Sequence, residues 1–534
     1  MSRRLLAIPF LAAAVVAAAA ASKASAPSAS ADLQKVLSEP RYAHATWGIR
    51  VLDGSKVLMN VNSSKQLFIG SVRKVFTLSQ LLDAVGPNKT YDTPVYRTGA
   101  VSNGVLRGNL VLVASGDLTM GGRTNPDGSI AVSDWDHNEA DSLGNAVLTS
   151  PNPLAGYQKL AQQVRSAGIR RVTGEVIVDD RLWQPWSFRG QFGVRPIFVN
   201  DDAVDLSITP GGSAGSGVKM TTRPVSAALK IANRLRVGAA GSQSTLKIDP
   251  EFPTCIGNPG CTAAVTGSLP SNFVPPLTGK PQLVQMVRIV QPSNYARSVF
   301  IESLAAAGVK VDAKTVEQNP AQLLPARGSY VGTNQVARLN GMPERDDAKF
   351  VLKISYNIGA DSSLVLWGLT KNVNSMPAAL AAERKNLAAR FGIPSNQYHF
   401  VDGSGGGDTT ASGGAVTQLL QAIARRSAFP ALYGALPILG VDGSLAFVKD
   451  FEKDPTLAGA AGQVRAKTGT YVDNNGSGGV VLKGQAFAGY ITAKSGRKLT
   501  YEVVVNNVPI TKIDDIVNVF QDEGTISAIL WRDY

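Results

Sequence analysis

Residues 44–61, HATWGIRVLDGSKVLMNV, hold two β-rich runs on either side of the turn residues Asp53-Gly54-Ser55, a pattern that predicts a hairpin. The next stretch, FIGSVRKVFTLSQLLDAVG (68–86), changes to helical spacing. Val72, Val75, Phe76 and Ser79 fall on one side, Leu78, Leu81, Leu82 and Val85 widen the apolar face, and Gly86-Pro87 ends it. Helical spacing returns at 377–391, with Gly392 as C-cap, and at 414–426. Near the C-terminus, GQVRAKTGTY (462–471) predicts a strand. QAFAGYITAKSGRKLTYEVVVNN (485–507) predicts a second hairpin turning at Lys494-Ser495-Gly496-Arg497. Ile513, Ile516, Val517 and Phe520 predict a closing helix. Neither hairpin is stable by itself. The economical solution is one antiparallel sheet made from both chain ends and covered by helices, an α+β fold.

The middle of the chain, 98–346, carries short β-like pieces such as NLVLVAS, RRVTGEVIVDD and AVDLSITP between Gly/Pro/Ser-rich joints. It is expected to interrupt a domain formed by 32–97 and 347–534. Its own division is expected to be two subdomains, 98–175 with 285–346, and 176–284.

Residues 1–31 read as a removable export signal: Arg3 and Arg4, an apolar run from Leu5 to Ala21, then the small-residue sites Ala24-Ser25-Ala26 and Ala29-Ser30-Ala31. Pro27 disfavours the first site, so cleavage is expected at Ala31. SRRLLA is a partial twin-arginine pattern, which leaves the export route open. No other segment is long and apolar enough to span a membrane. The mature protein is therefore expected to work in the periplasm or the extracellular wall space, without a stable anchor. With 44% hydrophobic and 17% charged residues the chain is globular. Its net charge of +13 is scattered, without Lys/Arg runs or interleaved aromatics. That argues against nucleic-acid binding and for attraction to an anionic envelope. Cys255 and Cys261 flank IGNPG, and in an exported protein they are expected to form a small-loop disulfide.

Ser71 and Lys74 lie three residues apart at the start of a helical pattern, which puts a hydroxyl and an amine on one face. A serine needs a base within hydrogen-bond reach, and lysine serves if its surroundings lower its pKa. The motif alone is weak. Ser216/Lys219, Ser244/Lys247 and Ser495/Lys498 match it too, and Ser71 could simply cap a helix. Two further motifs sharpen the picture. Lys467-Thr468-Gly469 lies in a predicted strand, where a lysine and a threonine hydroxyl can receive a carboxylate and the glycine admits a close backbone. Ser355-Tyr356-Asn357 offers a hydroxyl for proton relay and an amide to grip a peptide group.

In that order, SxxK, SxN, KTG, the chain resembles the low-molecular-mass class C penicillin-binding proteins, D-alanyl-D-alanine carboxypeptidases of the peptidase S13 type. The resemblance extends to LRGNLVLVASGDLTM (106–120), GIRRVTGEVIVDD (168–180), VDGSG (401–405), LPILGVDGSL (436–445) and AFAGYITAKSGRKLTYEVVVNN (486–507). It implies a penicillin-binding domain with a large β-rich insertion, no cofactor, peptidoglycan stem peptides as substrates and β-lactams as covalent inhibitors. It also implies site roles. Ser71 is the nucleophile and Lys74 its base. Ser355 and Lys467 carry the proton to the leaving D-alanine, and Asn357 holds the acylated chain. Thr468 and Thr470 bind the terminal carboxylate beside Gly469, and the N–H groups of Ser71 and Thr470 form the oxyanion hole. The chain departs from the pattern at Val72 and Arg73, at Tyr356, and at Ala360-Asp361. Arg73, two positions from Ser71, is expected to face solvent.

Three other readings compete. A Ser-His-Asp hydrolase has one elbow match, Gly211–Gly215, with no helix after it, and only His44, His137 and His399 as bases. A metallopeptidase lacks His-Glu-x-x-His, so no metal is expected. A catalytically weak wall-binding or β-lactam-responsive protein would keep the pocket and turn over poorly.

Overall fold

The computed structural model describes residues 30–139, 144–275, 278, 282–474 and 479–534. The expected export signal falls almost entirely on residues 1–29, outside the described residues. One antiparallel sheet draws on both ends of the chain. It contains β1 (Thr46–Asp53), β2 (Lys56–Val61), β3 (Val464–Asn474), β4 (Val480–Thr492) and β5 (Lys498–Asn506), in the order β2-β1-β5-β4-β3, with Val508–Ile510 pairing β4. β1 runs against β5 from Thr46↔Asn506 to Asp53↔Leu499, which joins the first hairpin to the second. β3 is the edge strand, pairing only with β4 along this path.

Alternation along the strands divides the core in two. Ala486, Ala488, Tyr490 and Val504 pack with helix α1 (Arg73–Val85) and its neighbours. Phe487, Ile491, Tyr501, Val503 and Val505 pack on the opposite face, against Ile526, Ile529 and Leu530 of the C-terminal helix Ile513–Asp533. Because both faces are covered, β5 is buried from Leu499 to Asn506. Every residue of α1 from Arg73 to Leu82 is buried, polar ones included. The one-sided apolar pattern therefore understates its enclosure. Helices α2 (Glu344–Lys353) and α3 (Asn357–Leu369) pack against α1 and are separated by Ile354-Ser355-Tyr356. Helix α4 (Met376–Phe391) ends on Gly392 at φ 68°.

The middle region has its own core, with Tyr157, Leu160, Val176, Leu206, Val265, Tyr295 and Phe300 among its buried residues. One of its sheets has the order Gln335–Leu339, Thr93–Arg97, Leu110–Val113, Val176–Asp179. The inserted sheets thus begin at Thr93 rather than at residue 98. Another sheet pairs Leu283–Arg288 with Ala203–Thr209, and neither expected internal boundary, 175/176 or 284/285, separates these sheets. The misplacement has a physical reason: short strands paired across 66 or more residues carry no local signal of their partners. Cys255 and Cys261 are joined in a disulfide at the margin of this core.

A buried ionic cluster sits in the same region. Arg123 donates to Asp136 (2.6 and 2.9 Å) and to Asp201. His137 bridges Asp205 through Nδ1 (2.6 Å) and Asp201 through Nε2 (2.8 Å). Burial opposes a charged imidazole, but Asp205, Asp136 and these hydrogen bonds outweigh it and push His137 up to about 10. With both ring nitrogens held by carboxylates, His137 is not available as the base of a serine triad.

Candidate active site

Ser71 sits in the 3₁₀ turn Gly70–Val72, directly before α1. No side-chain cap is made at either helix start, so Ser71 is not acting as a cap. Lys74, one turn on, is fully buried. Its Nζ donates to Ser71 Oγ at 2.6 Å, to Asn357 Oδ1 at 2.7 Å and to the Ser404 carbonyl at 2.8 Å. Three acceptors match the three N–H bonds of an ammonium, which fixes Nζ against the serine oxygen. Asn357 is the first residue of α3, so the SxN segment meets the SxxK helix through Lys74.

Ser355 adopts φ 62°, a left-handed conformation that costs a residue of its type roughly 1–3 kcal/mol. Its Oγ accepts from Lys467 Nζ at 3.0 Å. Lys467 is fully buried on β3 and also donates to the Thr468 carbonyl at 2.8 Å. β3 lies directly against the serine turn. A methyl on Gly469 would stand 1.9 Å from the Ile69 carbonyl oxygen and 3.0 Å from Ser71 N. One on Gly70, at φ +49°, would stand 2.7 Å from Thr470 N. The glycines therefore bring the amides of Ser71 and Thr470 to one backbone contact. Thr470 donates to Gln485 Oε1 at 2.9 Å, and Thr468 shares a 2.7 Å hydroxyl contact with Ser444. The seven predicted residues of the three motifs and Thr470 thus meet in one place, where β3, the 355–357 segment and the serine turn converge. The disulfide stands apart.

Arg73 corrects an expectation. It is fully buried, not solvent-facing. Its guanidinium donates to Asp402 O (2.9 Å), Thr77 Oγ1 (3.0 Å) and Glu383 Oε2 on α4 (2.6 Å), and stacks 4.1 Å from the Phe400 ring centroid. The i+2 rule supposes an open side of the helix, and α1 has none along this stretch.

Other residues of the site carried only weak signals in the sequence. Asp402 accepts from the backbone N–H of Ser404 (3.0 Å), Gly405 (2.6 Å) and Gly406 (3.0 Å), and so shapes the loop whose Ser404 carbonyl receives Lys74. An aspartate ahead of a glycine run was the available clue. Asp361 accepts from Gly403 N at 2.9 Å. Burial, and then the neighbouring Asp402 charge, push its carboxyl up to about 8. Lys353, two residues before Ser355, donates to both oxygens of Asp442 (2.5 and 2.6 Å), and its burial lowers its pKa. An acidic and imidazole group that could suit a cation, Asp136, His137 and Asp201, lies in the inserted region and already surrounds the Arg123 guanidinium.

Solved structures share this architecture. Penicillin binding protein 4 of Haemophilus influenzae superposes with a TM-score of 0.67 at 18% identity, over 94% of this chain and 99% of that one. The same protein complexed with a β-lactam gives 0.63 at 19% identity, with the same coverage. These matches establish the fold: a penicillin-binding domain with a large β-rich insertion. In sequence, the chain is 25% identical over 300 residues to a D-alanyl-D-alanine carboxypeptidase of Actinomadura sp. (strain R39). That alignment covers 52% of this chain and 47% of the relative, so the chain spans about half the length of the curated relative it matches. The model of the D-Ala-D-Ala carboxypeptidase 3 (S13) family matches residues 29–522, nearly the full length, and the chain belongs to that family.

Proposed function

We propose that this protein is an exported serine DD-peptidase that removes the terminal D-alanine from peptidoglycan stem peptides and is acylated by penicillins. The observation that carries the reading is the double linkage of the site: Lys74 on both Ser71 and Asn357, and Lys467 on Ser355. In this reaction Lys74 first gives up the proton that it donates to Ser71 Oγ, and Ser71 Oγ then attacks the carbonyl between the two D-alanines while the neutral Lys74 amine takes the hydroxyl proton. The N–H groups of Ser71 and Thr470 stabilise the oxyanion, commonly a large part of acyl-transfer catalysis. Thr468 and Thr470 receive the terminal carboxylate, the Thr470 hydroxyl turning from Gln485 Oε1 to the anion when substrate binds, and Asn357 holds the chain that becomes the acyl group. Ser355, beside Lys467, delivers a proton to the departing amine. Water then attacks the ester, returns the proton to Ser71 and releases the shortened peptide. A β-lactam amide opens by the same first step.

Export rests on the N-terminal pattern of Arg3, Arg4 and the apolar run after them. Among the described residues no helix is long and apolar enough to cross a membrane. The reading as a weakly catalytic wall-binding protein rested on the altered residues around Ser71. Val72 and Arg73 are both buried without displacing Lys74 from the serine, which favours the enzyme. Release of D-alanine from an acylated peptide ending in D-Ala-D-Ala tests it: turnover is expected with Ser71 present. Penicillin labelling without D-alanine release would support the binding protein instead.

A further inference from the structure

We infer that Ser444 is a positioning residue for the carboxylate end of the substrate, acting through the hydroxyl of Thr468; the inference rests on the reading of Lys467-Thr468-Gly469 as the carboxylate receptor. Ser444 Oγ lies 2.7 Å from Thr468 Oγ1, and Thr468 is 4% exposed. A threonine hydroxyl has one proton. If Thr468 donated it to Ser444, none would remain for an anion. If Ser444 donates, Thr468 keeps its proton for the carboxylate, and the accepted bond both orients and polarises it.

The segment carrying Ser444 is built to hold that hydroxyl still. Leu439 N donates to Val464 O and Ala466 N to Pro437 O, each at 3.0 Å, which ties the segment to β3 itself. Asp442 accepts from Ile438 N at 2.9 Å and from Lys353 Nζ, two residues before Ser355. Gly443, at φ 61°, donates to Asp134 Oδ1 of the inserted region at 3.0 Å. A methyl there would stand 2.8 Å from the Lys353 carbonyl oxygen. The position of the Ser444 hydroxyl beside the carboxylate receptor is therefore held by a strut between the inserted region, the Ser355 segment and β3.

The test measures equilibrium binding by ligand-observed NMR in a Ser71→Ala background, where no acylation intervenes. The probes are an N-acetylated tripeptide ending in D-Ala-D-Ala and its C-terminal carboxamide. Ser444→Ala is expected to weaken the free acid about tenfold, in line with loss of one hydrogen bond to an anion-binding group, and the amide less than twofold. Ser444→Thr is expected to restore the acid. With Thr468→Val already present, Ser444→Ala is expected to add less than a twofold change, because the two act as one unit. Equal weakening of acid and amide, no weakening of either, an undiminished effect in the Thr468→Val background, or a parent protein that does not prefer the acid would each overturn the inference. If Ser444→Ala does not fold, Ser444→Cys makes the same comparison with a weak donor in the same volume. A protein with Ser71 intact that prefers the acid in this way yet releases no D-alanine would lose the proposed function and keep the role of Ser444.

Discussion

Arg73 and Glu383 form an ion pair with side chains 0% and 2% exposed, one residue before the lysine of the site. The perturbation is Glu383→Gln, which keeps shape and acceptor oxygen and removes the counter-charge. With N and O 2.6 Å apart the charge centres are about 4 Å apart, which at an effective dielectric of 20 corresponds to about 4 kcal/mol of attraction. Burial works against the Glu383 carboxylate, and Arg73 and Gln80 oppose that effect. Removing one partner of a buried pair usually costs about 3–5 kcal/mol, because the other charge stays buried. Arg73 retains Asp402 O, Thr77 Oγ1 and the face of Phe400, so the lower end, about 3 kcal/mol, is expected. Urea unfolding of wild type and variant measures it. Acylation by a fluorescent penicillin is expected to change little, since Arg73 keeps its bond to Asp402 O and the same loop presents the Ser404 carbonyl to Lys74. Arg73→Met with Glu383→Leu is expected to recover most of the stability, as an apolar pair of similar volume replaces the charges. A loss below about 1 kcal/mol in Glu383→Gln, or a double variant no better than the single, would refute the reasoning.

Two further changes probe the site and its support. Gly469→Ala places a methyl against the backbone of Ile69 and Ser71, where no flexible side chain can yield, so β3 must move off the serine turn. Penicillin acylation is expected to fall by at least about 100-fold while the chain still melts cooperatively; unchanged acylation would contradict the close contact. Glu502, buried on β5, has its carboxyl pushed up to about 8 by burial, with Arg50 opposing. The folded state therefore keeps its proton up to about pH 8 while the unfolded chain loses it above about 4.3, so wild type loses stability from this group as pH rises through that window. Glu502→Gln is expected to flatten the fall in melting temperature between pH 5 and pH 9, and identical slopes would count against it.

The two hairpins were legible because their strands are long, their turns carry Gly, Ser and Asp, and each pairs with its sequence neighbour. The site was legible as three motifs whose spacing local pattern does not explain; only the resemblance joined them. What stayed hidden shares one cause. Glu383 lies 310 positions from Arg73, Ser404 330 from Lys74, and the Ser444 segment meets Lys353 only in the folded chain. The helix rule placed Arg73 correctly relative to Ser71 and failed because it took for granted a solvent side. The inserted sheets were misdivided for a related reason: Thr93–Arg97 reads like any short edge strand until its partners at 110–113 and 335–339 are known.

We propose that Ser71 is the nucleophile and Lys74 its base. The most direct measurement is the mass and location of the adduct after incubation with benzylpenicillin, by intact mass and peptide mapping. One penicillin is expected per chain, on the peptide containing Ser71, with none in Ser71→Ala and a rate lower by about 10²–10⁴ in Lys74→Ala. An adduct on any other residue, or one retained by Ser71→Ala, would contradict the account.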